Sequence, residues 1–285
     1  MNNGKNRGSR EIGLEIATIC GRYFLKLQHL HYGYWSDDLD VDIANLRIAQ
    51  ENYAQFLISH IPDGIARILD VGCGMGQVAS ELVRMGYGVD CVSPSSYLSR
   101  QVRELLSKTS LIFKCYYEEL HTENRYDLIL FAESFQYINL EKGIKKTLEL
   151  LRPGGYMLIC DVFRKDVPGQ SPLSGGHPLT SLQRIVAESP LELVKDVDIT
   201  AQTAPSIDIE NEVLQEVVKP TVDLIRQLLE SKYPVMSKSL RFLYGKKMDK
   251  MNEKYFSGLK TSENFKKWKT YRLLLYRRID FADPC

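Results

Sequence analysis

Three glycines at alternate positions, Gly72, Gly74 and Gly76, follow the apolar run Ile68–Val71 and precede a segment with helical periodicity. Glycines here permit a tight turn and let backbone N–H groups approach a ligand closely at a helix N-terminus. The G-x-G-x-G spacing is not the G-x-G-x-x-G of dinucleotide-binding loops. Asp70 stands just before the loop, placed to orient backbone amides or a ligand amine. A second set of residues has the chemistry for moving protons: Glu133, Tyr137, His31 and His177, with Gln136 as an orienting hydrogen-bond partner. Tyr137 follows the end of a strand-like run, where ligands bind in open α/β sheets. His177 lies in a Gly/Pro-rich stretch, where a lone histidine is more often a surface residue. His60 and His121 read as structural or exposed. HLHYGYW at 29–35 gathers two histidines and three aromatic rings around one glycine, which an ordinary turn does not explain.

The elements that must position these residues alternate regularly. Strand-like runs cover Arg67–Val71, Gly88–Val92, Leu111–Cys115, Tyr126–Phe131 and Tyr156–Asp161, separated by helical segments at Val78–Met85, Tyr97–Ser107 and Leu140–Leu151. Short apolar strands alternating with helices predict a parallel sheet covered on both faces. RPGG at 152–155 predicts a turn before the fifth strand. Upstream, the apolar spacing predicts helices over Glu11–Leu30 and Asp42–Ser59, after a frayed tail at 1–10. Downstream, 164–180 reads as a mobile Pro/Gly/Ser-rich loop. Leu191–Thr200 supplies a candidate strand. Helices are expected at Asn211–Ser231, interrupted near Pro220, and at Pro234–Phe256, before a late strand at Trp268–Ile279.

Composition narrows the classes. The 285 residues are 44% apolar and 26% charged, which is globular rather than disordered, coiled-coil or fibrous. A net charge of +1 gives no global field to recruit nucleic acid. No apolar run reaches the length of a membrane helix, and the N-terminus has no apolar core of a signal peptide. The six cysteines form no CxxC pair, so neither zinc nor a disulfide framework is expected, and the reading is a reducing, cytoplasmic setting. From Lys232 to Arg278, 14 Lys and Arg stand against three acidic residues. This basic stretch is a solvated face, an anion-binding surface or a contact for an anionic membrane.

The string DVGCGMG at 70–76, in its strand–loop–helix context, closely resembles the first motif of class I S-adenosylmethionine-dependent methyltransferases. HLHYGYW resembles the H-x-H-H-G-F-Y stretch of tocopherol methyltransferases, relatives of the sterol and cyclopropane-fatty-acid enzymes. The resemblance extends over most of 20–160. It implies a Rossmann-like, doubly wound, mostly parallel seven-stranded α/β sheet with N-terminal helices and an inserted helical cap. The expected division is 1–60 closing over the cofactor, 61–163 as the cofactor-binding core, 164–265 as loop and substrate cap, and 266–285 as the final strand.

The resemblance also implies S-adenosylmethionine as cofactor and S-adenosylhomocysteine as product. Cofactor contacts are expected from Tyr34 and Trp35, whose rings would face the sulfonium, and from Asp70, Gly72, Gly74, Gly76 and Gln77. Ser93 stands where an acidic residue commonly holds the ribose. Tyr117 and Glu118 fall beside the adenine, with Tyr116 replacing a usual aspartate. Glu133 matches an E-x-x-x-H pattern in which Tyr137 replaces histidine. Tyr137, Glu133 and His31 are the catalytic candidates, Tyr137 foremost on the acceptor side. The expected acceptor is a small lipophilic or amphiphilic molecule, methylated on carbon or oxygen. N-methylation of a small amine or amino acid is one alternative. A non-catalytic protein that binds the cofactor or a lipid surface is another.

Overall fold

The computed structural model describes residues 9–106 and 108–279. Of the expected tail at 1–10, residues 9 and 10 are helical, while 1–8, like Ser107 and Cys285, lie outside the described residues. The apolar runs form strands β1 (Arg67–Val71), β2 (Gly88–Val92), β3 (Ile112–Phe113), β4 (Tyr126–Ala132), β5 (Leu151–Arg164), β6 (His177–Pro178), β7 (Leu191–Asp198) and β8 (Lys269–Arg278). Their order is β3-β2-β1-β4-β5-β8-β7, with the two-residue β6 pairing β5 beside this path. Strands β1 to β5 run parallel, and β8 inserts antiparallel between β5 and β7. This is the expected doubly wound, mostly parallel sheet of seven strands, with β6 in addition.

The helices are α1 (Ser9–Leu25), α2 (Leu46–Ile58), α3 (Gln77–Arg84), α4 (Ser96–Leu105), α5 (Leu140–Leu150), α6 (Leu179–Ala187), α7 (Thr200–Thr203), α8 (Pro205–Glu212), α9 (Lys219–Lys232), α10 (Pro234–Phe256) and α11 (Ser262–Trp268). Side chains alternate across the strands, so each sheet face has its own core. Ile68, Leu128, Leu130, Leu158 and Leu273 pack with Tyr53 and Leu57 of α2. Leu69, Val71, Ile129, Phe131 and Ile159 pack with Ile144 of α5 and Leu182 of α6. Burial on both faces is why these strands read as continuous apolar runs. Among the described residues, no helix is long and apolar enough to cross a membrane.

Four differences from the sequence expectations matter for the site. First, α1 stops at Leu25 rather than Leu30. Lys26 takes a left-handed φ of 54°, and Leu27 N donates back to Gly21 O at 3.1 Å, which reverses the chain. Residues 27–35 are thereby released from the helix. Second, β5 starts at Leu151, with RPGG inside it. Pairing jumps from Tyr126↔Leu151 to Leu128↔Tyr156, so the glycines form an excursion within the strand instead of ending it.

Third, the span 164–265 is not all cap. It includes β7, hydrogen-bonded along β8 at the sheet edge, and α6, whose Leu182 and Val186 are buried and which packs against α5. The part standing off the sheet starts after α8, whose Ile207 is buried in the core, with one π-helical turn, Val213–Val218, and continues into α9 and α10. Fourth, the 164–180 loop, expected to be mobile, is tied down at several points, including the pairing of β6 with β5. His177 Nε2 lies 2.9 Å from Ile138 O, and Lys269 Nζ donates to Gly175 O at 2.6 Å.

Candidate active site

The loop after β1 is shaped by what its glycines exclude. Gly72 has φ 72°, and a Cβ there would lie 2.4 Å from the Cβ of Ser134. That close approach lets Ser134 Oγ donate to Val71 O at 2.5 Å, clamping the ends of β1 and β4 together. Gly74, φ 53°, faces open space: a Cβ there would meet nothing nearer than Leu30 Cδ1 at 3.8 Å. Gly76 caps α3 and rests on Val102. The loop therefore presents a side-chain-free edge to a cavity of about 620 Å³.

Asp70, Gly72, Gly74, Gln77, His31, Glu133 and Tyr137 all line this cavity, so seven of the residues singled out from sequence come together. Asp70 is 2% exposed. Burial, with no compensating hydrogen bond or charge among the described residues, pushes its pKa up to about 7. Such a carboxylate is suited to a cationic ligand group, an ammonium above all.

The extended segment beyond α1 supplies His29, Leu30 and His31 to the same cavity. The two imidazoles lie 4.6 Å apart, and His31 lies 4.2 Å from the ring of Tyr53. Burial lowers His29 to about 4. Burial and then the neighbouring His29 lower His31 to about 3, so both are neutral at physiological pH. His31 Nδ1 lies 2.8 Å from Tyr32 O, which makes Nδ1 the protonated nitrogen. Nε2 is then a buried acceptor without a hydrogen-bond partner among the described residues. A histidine held this far below neutrality is a weak proton acceptor.

Glu133 follows β4 with a left-handed φ of 54°, a strained backbone for a residue with a side chain. Its N–H donates to Cys160 O at 2.9 Å. Its Oε1 accepts from Tyr32 N and from the Tyr271 hydroxyl, both at 2.7 Å. Tyr271 also touches the Tyr53 hydroxyl at 2.9 Å, and Tyr53 donates to Cys160 O at 3.0 Å. Burial raises the Glu133 carboxyl to about 8, against the opposing pull of the Tyr271 and Tyr32 bonds. Asp161, at the same end of the sheet, is raised to about 7 by burial, opposed by its hydrogen bonds. It accepts from Gln136 N at 3.0 Å and Gln136 Nε2 at 3.1 Å, the orienting role foreseen for Gln136 but toward a protein carboxyl.

A second cavity of about 930 Å³ adjoins the first. Leu30, Glu133, Tyr137, Glu210 and Tyr255 line both. Tyr137, 63% exposed on a short 3-10 turn, thus stands at the junction. The second cavity is otherwise bounded by the 164–180 loop, α8, α10, α11 and the first residue of β8.

Other expected contacts are placed elsewhere. Trp35 is buried against Ala49 and Ile209, and its indole N–H donates to Ser206 Oγ at 2.9 Å. Tyr34 stacks on Phe56 at 5.0 Å. Both rings turn to the core because it offers them apolar area and, for Trp35, a hydrogen-bond acceptor. Tyr117 packs edge-on against Phe131, with its hydroxyl 2.9 Å from Thr147 Oγ1, so it belongs to the core under α5. Glu118 accepts from Asn139 N at 2.9 Å, fastening the start of α5. Ser93 is buried beside the start of α4, where its Oγ accepts from Ser95 N at 3.3 Å. None of these five lines either cavity. His177 holds the loop through Ile138 O and does not line them either.

His29, Tyr53 and Tyr271 were not selected from the sequence. For His29 a signal was present: His-x-His in an extended segment puts both rings on one side. Tyr53 and Tyr271 carry none, since each reads as an ordinary core aromatic.

Residues 69–159 match the family model described as a methyltransferase domain. The chain carries a methyltransferase domain. An uncharacterized methyltransferase of Mycobacterium tuberculosis is 25% identical over 197 residues, covering 63% of this chain and 79% of that protein. The methyltransferase fold also agrees with two solved structures. Cyclopropane synthase MmaA2 from Mycobacterium tuberculosis is 14% identical with a TM-score of 0.65, covering 96% of this chain and 100% of that one. The geranyl diphosphate C-methyltransferase from Streptomyces coelicolor A3(2) is 19% identical with a TM-score of 0.61, covering 96% of this chain and 95% of that one.

Proposed function

We propose that this methyltransferase uses S-adenosylmethionine to methylate a small amphiphilic acceptor on carbon or oxygen. The observation that carries the reading is the meeting of two cavities at Glu133 and Tyr137, one walled by the glycine loop and the other by the helical cap. The residues present fit the cofactor. Asp70 offers a buried carboxylate to its ammonium, and Gly74 leaves room where a side chain would obstruct it. When bound, the cofactor supplies an electrophilic methyl group on a sulfonium.

The chain's own part is alignment, water exclusion and proton acceptance. An acceptor in the cap cavity would be held against Glu133 and Tyr137, facing the glycine-loop cavity from which the bound cofactor would supply its methyl group. Holding that geometry supplies much of the rate. Leu30, with Gly13 and Leu14 of α1, covers the first cavity and limits water. An acceptor that must lose a proton finds Glu133, already receiving the Tyr271 hydroxyl, at the junction. The test is calorimetric titration with S-adenosylmethionine and S-adenosylhomocysteine, followed by labelled-methyl screening of amphiphilic acceptors. Binding by the wild type that is lost in Gly74→Asp supports the reading. A folded wild type that binds neither ligand overturns it.

A second activity of the same enzyme is favoured by the cap. α9 has no buried residue, and α10 exposes Phe242 at 90% together with Leu243. Lys246, Lys247 and Lys250 lie on the same helix. Apolar side chains beside lysines suit an anionic membrane surface. Sedimentation with phosphatidylserine vesicles that is lost in a Lys246/Lys247/Lys250→Glu variant supports this, and equal binding to neutral vesicles counts against it.

A further inference from the structure

The second cavity has a buried cation without a counter-ion. Lys269 opens β8 opposite Arg164, at the ligand-binding end of β5. The residue is 1% exposed, and both it and Gly175 line the cavity. Its Nζ donates to Gly175 O at 2.6 Å. An ammonium has three N–H donors, and a carbonyl dipole takes one of them without neutralising the charge. Among the described residues no carboxylate forms an ion pair with Lys269. The charged group acting on it is Arg164, of like sign.

The remaining charges of the cavity are already satisfied. Lys260 is paired with Glu210. Glu133 is engaged by Tyr32 and Tyr271, and the nearby Asp161 by Gln136. A buried ammonium left this way is costly unless something completes it. Sealing the start of β8 does not demand a lysine, since an apolar residue would do so as well. What the cavity holds is the remaining source of a partner.

Building on the methyl-transfer reading above, we propose that Lys269 anchors a carboxylate of the methyl acceptor, making the substrate an amphiphilic carboxylic acid. The spare N–H groups of Nζ receive the carboxylate oxygens. The apolar body lies along Leu173, Ile207, Met251 and Phe265, which line the same cavity, and its other end reaches Glu133 and Tyr137. Lys269 is then a specificity-determining residue that takes no part in bond making.

The experiment compares decanoate with decan-1-ol, which share a chain length and differ in the charge of the head group. Each is titrated calorimetrically into protein saturated with S-adenosylhomocysteine. The wild type should bind decanoate roughly tenfold more tightly, as a charge-assisted hydrogen bond requires. Lys269→Met should abolish that preference and Lys269→Arg should keep it, with S-adenosylhomocysteine affinity unchanged in both. Equal affinities in the wild type, no decanoate binding, or a preference that survives Lys269→Met would each overturn the proposal. If Lys269→Met fails to fold, the wild-type comparison and Lys269→Arg still decide. A wild type that does not bind S-adenosylhomocysteine overturns the methyl-transfer reading and this inference together. One that binds it without preferring the carboxylate overturns this inference alone.

Discussion

The Tyr271 hydroxyl lies 2.7 Å from Glu133 Oε1, joining the last strand of the sheet to the residue between the two cavities. The two are 138 positions apart in the chain, and the contact forms because β8 inserts beside β5. The bond favours the ionised form of Glu133 and opposes the burial that, on balance, raises its pKa to about 8.

For an acceptor that must lose a proton, Glu133 acts only as carboxylate, so kcat rises as pH rises through its pKa. In Tyr271→Phe the stabilising hydroxyl is gone, the pKa goes higher and the rising limb moves to higher pH. The expected loss at neutral pH is about tenfold in kcat, the worth of one charge-assisted hydrogen bond. Glu133→Gln should flatten that limb. A pH profile of Glu133→Gln matching the wild type would remove Glu133 from proton transfer.

Ligand binding should release protons. Asp70 is held at about 7 by burial without a partner, so about half of the molecules carry its proton near neutrality. An ammonium brought against it lowers that pKa and expels the proton. Titration of S-adenosylhomocysteine at pH 7 in buffers of different ionisation enthalpy should therefore show net proton release, smaller in Asp70→Asn. Equal release by the variant would assign the proton to another group.

The ligand-free protein should lose stability as pH rises. Asp70 and Asp161 are raised to about 7 and Glu133 to about 8, all above the ordinary carboxylate range. Raised carboxyl pKa values mean that folding favours the protonated forms. Their contribution is complete below about pH 4 and is lost as pH climbs through 7 to 8. Thermal unfolding should show a lower Tm at pH 8.5 than at pH 6, with a smaller difference in Asp161→Asn. A Tm that rises over this window would contradict the sign.

The two loop glycines should fail in different ways. Gly72→Ala drives a Cβ into Ser134 in a left-handed conformation and should cost about 2 kcal/mol or more of stability. Gly74→Asp meets open space, so the folded protein should persist while cofactor affinity falls. Thermal unfolding and calorimetry on both variants separate the effects; equal destabilisation would refute the distinction.

Trp35 serves packing. Trp35→Phe removes the indole donor to Ser206, whose Oγ still receives Gly33 N at 2.9 Å. A stability loss of about 1 kcal/mol is expected, with S-adenosylhomocysteine affinity unchanged. A large drop in affinity without a drop in Tm would restore the ring to the cofactor site.

The sequence by itself determined the sheet and its ligand-binding edge. Strands buried on both faces are predominantly apolar, and a glycine loop between strand and helix has few other uses, so Ile68–Gly76 was legible from local pattern alone. Asp70, Gly74 and Glu133 followed from their places at strand ends. The tertiary structure decided the rest, because a side chain's direction depends on competition among distant neighbours. Trp35 and Tyr117 had the chemistry to meet a cofactor, yet larger apolar contacts and the hydrogen bonds to Ser206 and Thr147 drew them into the core. Tyr53, Tyr271 and Lys269 read as residues of an ordinary helix and strand. Their position beside the cavities exists only once α2 packs on the sheet and β8 enters it antiparallel. Local periodicity encodes which face of an element is buried; it does not encode what that face meets.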